Sequence, residues 1–239
     1  MRPYSVAFTK DYVFARGHSD WHGLLYASAG VLSVRSASGT WVVPAHRAVW
    51  VPSGTQRTIE VSAGLVMRSL YFKPGVTRSL PRDCCVVNVP PLLRELINHT
   101  NDVGMLNRAI PEHARLIGVL IDQLRVMKAV PLQLPQPADA RAIKVAEYLR
   151  TNPGAKVSLG RIAVHAGASA RTIERLFRSQ TNMTFAKWRE RLRLLHALRL
   201  LAAGEAVTNI ALDLGYASPS GFIAMFRRAF GTTPSRYYR

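Results

Sequence analysis

The 239-residue sequence has few cysteines, few acidic side chains and no long apolar run. Its two cysteines, Cys84 and Cys85, are neighbours, so they cannot join distant parts of the chain as structural disulfides do. No run of about 18 apolar residues occurs, which excludes a transmembrane helix. The N-terminal residues, Lys10 and Asp11 among them, include no apolar segment of signal-peptide length. We therefore expect a protein of the reducing cytoplasm.

The shortage of acidic residues leaves a large positive charge. Lys and Arg number 32 and Asp and Glu 14, which gives a net charge of +18. An excess of this size indicates a polyanionic partner, either nucleic acid or an acidic membrane surface. Because 48% of the residues are hydrophobic, a disordered basic tail is excluded.

A proline-rich segment, PLQLPQP at 131–137, divides the chain. Three prolines in seven residues cannot continue a helix or a central strand, so we predict a linker at 131–138. The predicted domains are then 1–130 and 139–239. The second is shorter but more basic, with 17 basic and 6 acidic residues against 15 and 8 before it.

The first 90 residues contain short runs of β-branched and aromatic residues, separated by glycine, serine or proline. The predicted strands are GLLYASAG, VLSVRS, TWVVP, RAVWVP, QRTIEV, LVMRSLYF and CCVVNV. Turn residues at 37–39 and at 62–64 each predict a hairpin. Many short, evenly spaced strands predict a sandwich or a small β-barrel.

After Pro91 the apolar residues recur with a helical period. The stretch 111–128 predicts an amphipathic helix whose apolar stripe must be covered. It can pack on the barrel or pair with a second copy of itself.

Residues 139–239 predict helices throughout and contain a repeat. The segment at 158–180 resembles the one at 208–230: Ile162, Ala163 and Gly167 align with Ile210, Ala211 and Gly215 at an offset of 48. One extra turn residue then makes the offset 49. The repeat indicates a duplicated structural unit.

Each copy has the pattern of a helix-turn-helix. A glycine follows the first helix, where a left-handed conformation is required, and Ser169 or Ser218 then begins the next helix as N-cap. Pro219 follows Ser218 at a position where its missing N–H costs nothing. The second helix of such a unit can enter a DNA major groove. The predicted fold class is therefore α+β, a small β-barrel with helices followed by an all-α domain with two tandem units.

The segment from Thr184 to Gly204 predicts a long helix between the units. About twenty residues form a rod of roughly 30 Å, which could place two recognition helices in successive major-groove turns, about 34 Å apart. Its arginines Arg189, Arg191 and Arg193 are interpreted as solvated surface charge rather than DNA contacts.

The segment from Ile210 to Tyr237, IALDLGYASPSGFIAMFRRAFGTTPSRY, resembles the signature of the AraC/XylS family of bacterial transcription regulators in residue types and spacing. This resemblance covers about 139–239. The segments WHGLLYASAG and TWVVPAHRAVWVPSG resemble the cupin-type sensing domain of one branch of that family. The resemblance implies a double-stranded DNA-binding regulator with a small-barrel domain, often dimeric and often responsive to a small effector.

The resemblance places the family's base contacts at Arg171, Glu174 and Arg175. Arginine can bind guanine O6 and N7, and glutamate can accept from cytosine N4, although Glu174 could instead pair with a neighbouring arginine. In the second recognition helix the position that matches Arg175 is Ala224. That helix is predicted to contact mainly phosphates. The predicted backbone contacts are Ser169, Thr172, Arg178, Ser218, Ser220 and Arg227.

A metal site is not expected in the first domain. Cupin enzymes use an H-x-H motif with a glutamate and a second motif, P-x-G-x-x-H, whereas this chain offers His18 and His22 without a nearby glutamate, and Arg57 stands at the final histidine position. A cation cannot replace imidazole as a metal ligand. No cofactor is predicted, and Cys84 and Cys85 are interpreted as buried thiols rather than a redox sensor.

Aromatic residues concentrate on the predicted strands and could line an effector pocket or fill the barrel. The predicted pocket residues are Trp21, His22, Tyr26, Trp41, Trp50 and Tyr71. The leading interpretation is a non-enzymatic, sequence-specific DNA-binding transcription regulator, nucleoid-associated when bound to its operator. Its further predicted partners are a small aromatic effector, RNA polymerase if it activates, and a second copy; the alternative is a cupin-type metalloenzyme fused to a DNA-binding domain.

Overall fold

The computed structural model describes residues 1–16, 19–76 and 80–237. The chain forms two compact units, Met1–Gln133 and Leu134–Arg239, and each is described by itself. The first is rich in strands and the second is helical, which confirms the predicted α+β class.

The first unit contains two antiparallel sheets. The strands are β1 Arg2–Ala7, β2 Tyr12–Arg16, β3 His22–Ala29, β4 Val31–Ser36, β5 Gly39–Pro44, β6 Arg47–Val51, β7 Arg57–Val61, β8 Val66–Phe72, β9 Cys85–Asn88, β10 Ala129–Val130 and β11 Gln133–Pro135. Among the described residues the strand orders of the two sheets are β1-β8-β3-β6-β9-β10 and β11-β5-β4-β7-β2. Strand β5 of the second sheet lies against β3, β6 and β9 of the first, but the described strands do not close into one continuous barrel.

All seven predicted strands are present, as β3 to β9. The strands that the sequence did not predict are β1, β2, β10 and β11, and each forms the edge of a sheet. Strand β1 includes Pro3 and is largely exposed. Because an edge strand covers little core, its sequence carries a weak hydrophobic pattern, and proline is tolerated there.

One predicted hairpin is confirmed and the other is wrong. Strands β4 and β5 pair directly up to Ser36 opposite Gly39. Strands β7 and β8, however, belong to different sheets, so residues 62–64 carry the chain from one sheet to the other. There Ser62 N–H donates to Val31 O at 3.2 Å and Gly64 N–H to Phe8 O at 2.9 Å. The turn pattern shows that the chain reverses but does not specify the partner strand.

Two helices cover one face of the first sheet, α1 at Pro91–Val103 and α2 at Pro111–Arg125. A short 3-10 turn at Pro74–Val76 precedes them. Buried side chains on that face of the sheet meet Leu93 and Ile97 of α1 and Leu120 and Leu124 of α2. Packing within the chain therefore accounts for much of the apolar stripe of α2.

The second unit is built from short helices around a longer one. The helices are α3 Ala140–Thr151, α4 Leu159–His165, α5 Ala170–Thr181, α6 Phe185–Ala202, α7 Val207–Asp213, α8 Pro219–Phe230 and α9 Pro234–Tyr237. The rings of Phe177 and Trp188 lie 5.1 Å apart between α5 and α6, and Phe226 contacts Tyr237 at 5.4 Å. Within the described part of the chain, none of the helices is long and apolar enough to cross a membrane.

Candidate nucleic-acid interface

The two repeats fold into the same helix-turn-helix geometry. After α4, Gly167 has φ of 71° and Ala168 N–H donates to Ala163 O at 2.9 Å. After α7, Gly215 has φ of 78° and Tyr216 N–H donates to Ala211 O at 2.9 Å. Both glycines therefore occupy the left-handed position that ends a helix. The aligned residues of the two sequence copies therefore have the same conformation and equivalent hydrogen bonds.

Each recognition helix begins at a capped and exposed N-terminus. Ser169 Oγ accepts a hydrogen bond from Thr172 N–H at 3.1 Å, and Ser218 Oγ accepts one from Gly221 N–H at 3.4 Å. Pro219 is the first residue of α8, as predicted. The positive end of each helix dipole is thus open to an anion such as a phosphate.

The outer face of α5 presents exposed, mostly basic side chains. Its inner face buries Ile173, Leu176 and Phe177. The exposed side chains that share the opposite face are Arg171, Glu174, Arg175 and Arg178, with Thr172 half-buried beside them. The structure therefore brings the predicted base-contacting residues onto one accessible surface.

Glu174 has a partner that the sequence did not indicate. Its Oε2 accepts a hydrogen bond from Phe185 N–H, the first residue of α6, at 3.4 Å. None of the ion pairs between described residues joins it to an arginine, so the expected alternative of a neighbouring arginine is not observed. A carboxylate at this position interacts favourably with the N-terminus of α6.

The outer face of α8 has few polar side chains near its start. Ser220, Gly221 and Ala224 are exposed and Ile223 is half-buried, so no amide or charged group lies near its start. Arg227 is exposed one turn further on. Arg228 is bound to Glu190 of α6 at 3.0 Å.

The interpretation of the α6 arginines as solvated charge is wrong for Arg189 and Arg193. Arg189 donates to the carbonyl oxygens of Val157, at 3.1 Å, and of Ala155. Arg193 donates to Pro153 O at 3.0 Å, and its guanidinium lies 5.6 Å from the Tyr216 ring centroid. These carbonyls belong to the loop between α3 and α4, where no helix or strand supplies hydrogen-bond donors to them. Arginine can satisfy several of them at once because its guanidinium has several N–H donors. Burial lowers the pKa of Arg189.

The aromatic residues predicted to line an effector pocket lie in different surroundings. Tyr26 and Trp50 are buried in the core beneath α1 and α2, and Trp41 is fully buried in β5. Trp21 and Tyr71 do meet, in a cavity of about 230 Å³ beside β1. Trp21 also lines a larger cavity of about 530 Å³ near the α1–α2 loop.

His22 makes two contacts within the folded unit. Its Nδ1 accepts a hydrogen bond from Ser53 N–H at 2.9 Å, and its ring stacks on Trp50 with 5.2 Å between centroids. Burial lowers the pKa of its imidazole. His18, its predicted companion, lies outside the described residues. Arg57, at the position of the missing histidine ligand, is buried and donates to Thr55 O at 3.2 Å.

The two cysteines are half-buried free thiols. Burial is the main cause that raises the pKa of Cys84 to about 11, and burial also raises the pKa of Cys85. Because the thiolate is the reactive form, a raised pKa favours the less reactive thiol form of both side chains near neutral pH. Within the described residues, no three His, Cys, Asp or Glu side chains cluster as a metal site would require.

Comparison with known proteins agrees with this arrangement. Residues 4–143 match the model of an AraC-like ligand binding domain, and residues 162–239 match that of a helix-turn-helix domain. The HTH-type transcriptional regulator NimR of Escherichia coli K12 is 33% identical over 214 residues, which cover 90% of this chain and 78% of NimR.

Other similarities are more local or more distant. The HTH-type transcriptional regulator RipA of Corynebacterium glutamicum is 38% identical over 103 residues, or 43% of this chain and 31% of RipA. A structure of ToxT from Vibrio cholerae matches 99% of this chain and 96% of its own, at 13% identity and a TM-score of 0.42. The family match over most of the chain and the identity with NimR lead to one conclusion: the protein belongs to the AraC family of HTH-type transcriptional regulators and combines a ligand-binding domain with a DNA-binding domain.

Proposed function

We propose that this regulator acts in the cytoplasm and reads its operator mainly through α5, with Arg171 and Arg175 as the base-reading residues. The observation that carries the proposal is their common exposure on a helix whose N-terminus is capped by Ser169. Guanidinium groups in the major groove bind guanine O6 and N7 in bidentate fashion. We therefore expect guanines at the operator positions that face these two residues.

Glu174 has a divided role in this proposal. Its contact with Phe185 N–H uses Oε2 alone, and the residue as a whole is exposed. The other carboxylate oxygen can accept from cytosine N4, as the sequence predicts. Because the hydrogen bond to α6 also holds the carboxylate in place, Glu174→Gln would keep an acceptor for that contact while removing the charge.

Phosphate contacts anchor both units in this proposal. Ser169, Thr172 and Arg178 lie on or beside the exposed face of α5, and Ser218, Ser220 and Arg227 are exposed on or next to α8. Hydroxyl and guanidinium groups at the start of a recognition helix bind phosphate oxygens and set the register without reading sequence. Binding should therefore weaken steeply as salt rises.

The decisive experiment is selection of bound fragments from genomic DNA, followed by titration of variants on the selected site. Arg175→Ala should cost about 1–3 kcal/mol in specific binding and relax the base preference opposite it. Ala224→Ser, the matching position on α8, should change little. The reverse order of effects would contradict the assignment.

The remaining partners follow from the family architecture. We propose a small effector bound by the first unit, an operator-bound homodimer, and contact with RNA polymerase if the protein activates transcription. No catalytic step is proposed, because Arg57 stands where a cupin enzyme has a histidine ligand, and His22 Nδ1 accepts a backbone hydrogen bond, which leaves the proton of the neutral ring on Nε2. Elemental analysis of the purified protein tests the metalloenzyme alternative; stoichiometric bound metal would support it.

A further inference from the structure

A cavity of the first unit lies at the α1–α2 loop and is lined by residues of that loop, of α2 and of the end of β8. We infer that this loop cavity binds a small amphipathic carboxylate, and the inference rests on the proposed effector response. The lining residues that carry the argument are Trp21, Phe72, Lys73, Leu106, Arg108 and Ile117. The sequence suggested an aromatic pocket within the barrel, whereas this cavity combines apolar and basic groups.

The floor of the loop cavity is apolar and fixed. Phe72, Leu106 and Ile117 are 1%, 3% and 2% exposed, so their positions are set by packing. Leu106 and Ile117 form, with Ile121, a small hydrophobic cluster of their own. The cavity volume of about 530 Å³ lies within the range of pockets that hold small molecules. Such a floor would accept an aromatic ring or a short alkyl chain.

The rim of the loop cavity is positively charged. Lys73 and Arg108 are both exposed, and no acidic residue lines the cavity among the described residues. Neither cation takes part in an ion pair found in the described part of the chain. Lys73 Nζ lies 5.6 Å from the centroid of the Trp21 ring. The side-chain cations Lys73 and Arg108 beside an apolar floor suit a ligand with an apolar body and one anionic end.

Arg108 is carried by an ordered turn. Asn107 N–H donates to His113 Nδ1 at 3.2 Å, and Ala109 N–H donates to Asn107 Oδ1 at 3.0 Å. These bonds fix the backbone on both sides of Arg108. A guanidinium in this position can bind a carboxylate in bidentate fashion, and Lys73, which lines the same cavity, can contribute a point charge. A carboxylate is therefore the anionic group that we assign.

Calorimetric titration of the full-length protein with octanoate, 4-phenylbutyrate and 1-naphthoate tests the inference. At least one carboxylate should bind about tenfold more tightly than its own carboxamide, because charge-assisted hydrogen bonds are then lost. Lys73→Met and Arg108→Met should each weaken that binding about tenfold. Lys128→Met is the matched control, because Lys128 is an exposed lysine of the same unit that does not line the cavity.

The inference is overturned if each carboxylate binds no more tightly than its carboxamide, or if Lys73→Met and Arg108→Met bind like Lys128→Met. All variants replace exposed side chains, and circular dichroism checks that they fold. The calorimetry contains no DNA, whereas operator titration without ligand tests the DNA-reading proposal. Failure of one is thus distinguishable from failure of the other.

Discussion

Gly154 and Gly215 lie backbone against backbone, joining the loop before the first helix-turn-helix to the turn of the second. A Cβ built on Gly154 would overlap the Asp213 carbonyl oxygen, and one built on Gly215 would overlap the Gly154 carbonyl oxygen. Arg193 lies over the same junction, bound to Pro153 O. Helix α6 connects the two helix-turn-helix motifs, and the contact between Gly154 and Gly215 joins them at a second place. This contact therefore fixes how one recognition helix is oriented relative to the other.

Replacing Gly154 by alanine should loosen this junction. The added methyl group meets backbone, which cannot move as a side chain would, so we expect a loss of about 1–3 kcal/mol in the free energy of unfolding. The measurement is urea denaturation of the full chain. Gly160→Ala is the matched control, because its Cβ would meet open space within α4 and alanine favours helix. Equal stability of the two variants would contradict the packing described for Gly154.

Arg189→Met should act on stability rather than on DNA affinity. The guanidinium donates to Val157 O and Ala155 O, and its loss leaves partly buried carbonyls without these donors. We expect a cost of about 1–3 kcal/mol in unfolding free energy. Lys187→Met, an exposed position on the same helix, should be near neutral in the same assay. A variant of Arg189 with native stability and weakened operator binding would show that this arginine contacts DNA after all.

Acidification below pH 6.5 should destabilise the protein through two half-buried histidines, His22 and His196. Burial lowers the pKa of His22 and of His196, so the unfolded chain binds more protons than the folded one. The stability they contribute is present above 6.5 and is lost as pH falls towards their folded pKa values. The lowered carboxyl pKa values of Glu95 and Asp139, the latter about 2, act at more acidic pH.

Thermal unfolding at pH 7.5 and pH 5.5 checks this pH dependence. The double variant with His22→Gln and His196→Gln should lose less stability between the two values than the unsubstituted protein. An identical loss in both proteins would assign the pH dependence to other groups.

Cys84 should react slowly with thiol reagents in the folded protein. With its pKa raised to about 11, very little thiolate is present at pH 7.5. The rate of reaction with a disulfide reagent should be well below that of a free cysteine and should rise in urea. Cys84→Ser isolates the contribution of Cys85. A rapid reaction in native buffer would revive the interpretation as a redox sensor.

The parts of the fold that the sequence predicted are those that supply the buried cores. Strands β3 to β9 contain runs of buried β-branched and aromatic residues, and the duplicated helical units bury apolar side chains at helical spacing. The strands β1, β2, β10 and β11 lie at sheet edges and escaped prediction. Strand β1 is largely exposed, and β10 and β11 are only two and three residues long, too short to show a pattern. The pairing of the 62–64 turn was also missed, because the partner strand is chosen by contacts distant in sequence.

Some features of the candidate sites could likewise be predicted from the sequence and others could not. The exposure of Arg171 and Arg175 follows from helical periodicity, once Ile173 and Phe177 are assigned to the core. The contacts of Arg189 with the α3–α4 loop could not be predicted from the sequence. An arginine occupies the same kind of helical position in the sequence whether its side chain meets solvent or a backbone carbonyl. The loop cavity depends on residues from β8 and the α1–α2 loop, which meet only in the folded unit.

The small side chains at the start of α8 have a consequence for how the set of regulated genes can change. A half-site held through phosphates constrains the shape of the groove and leaves base identity largely free. Base changes in the operator half-site that faces α8 would be close to neutral, whereas base changes opposite Arg171 and Arg175 would be selected against. Aligned operators should then show one block of high information content and, about one helical turn away, a block that drifts between promoters.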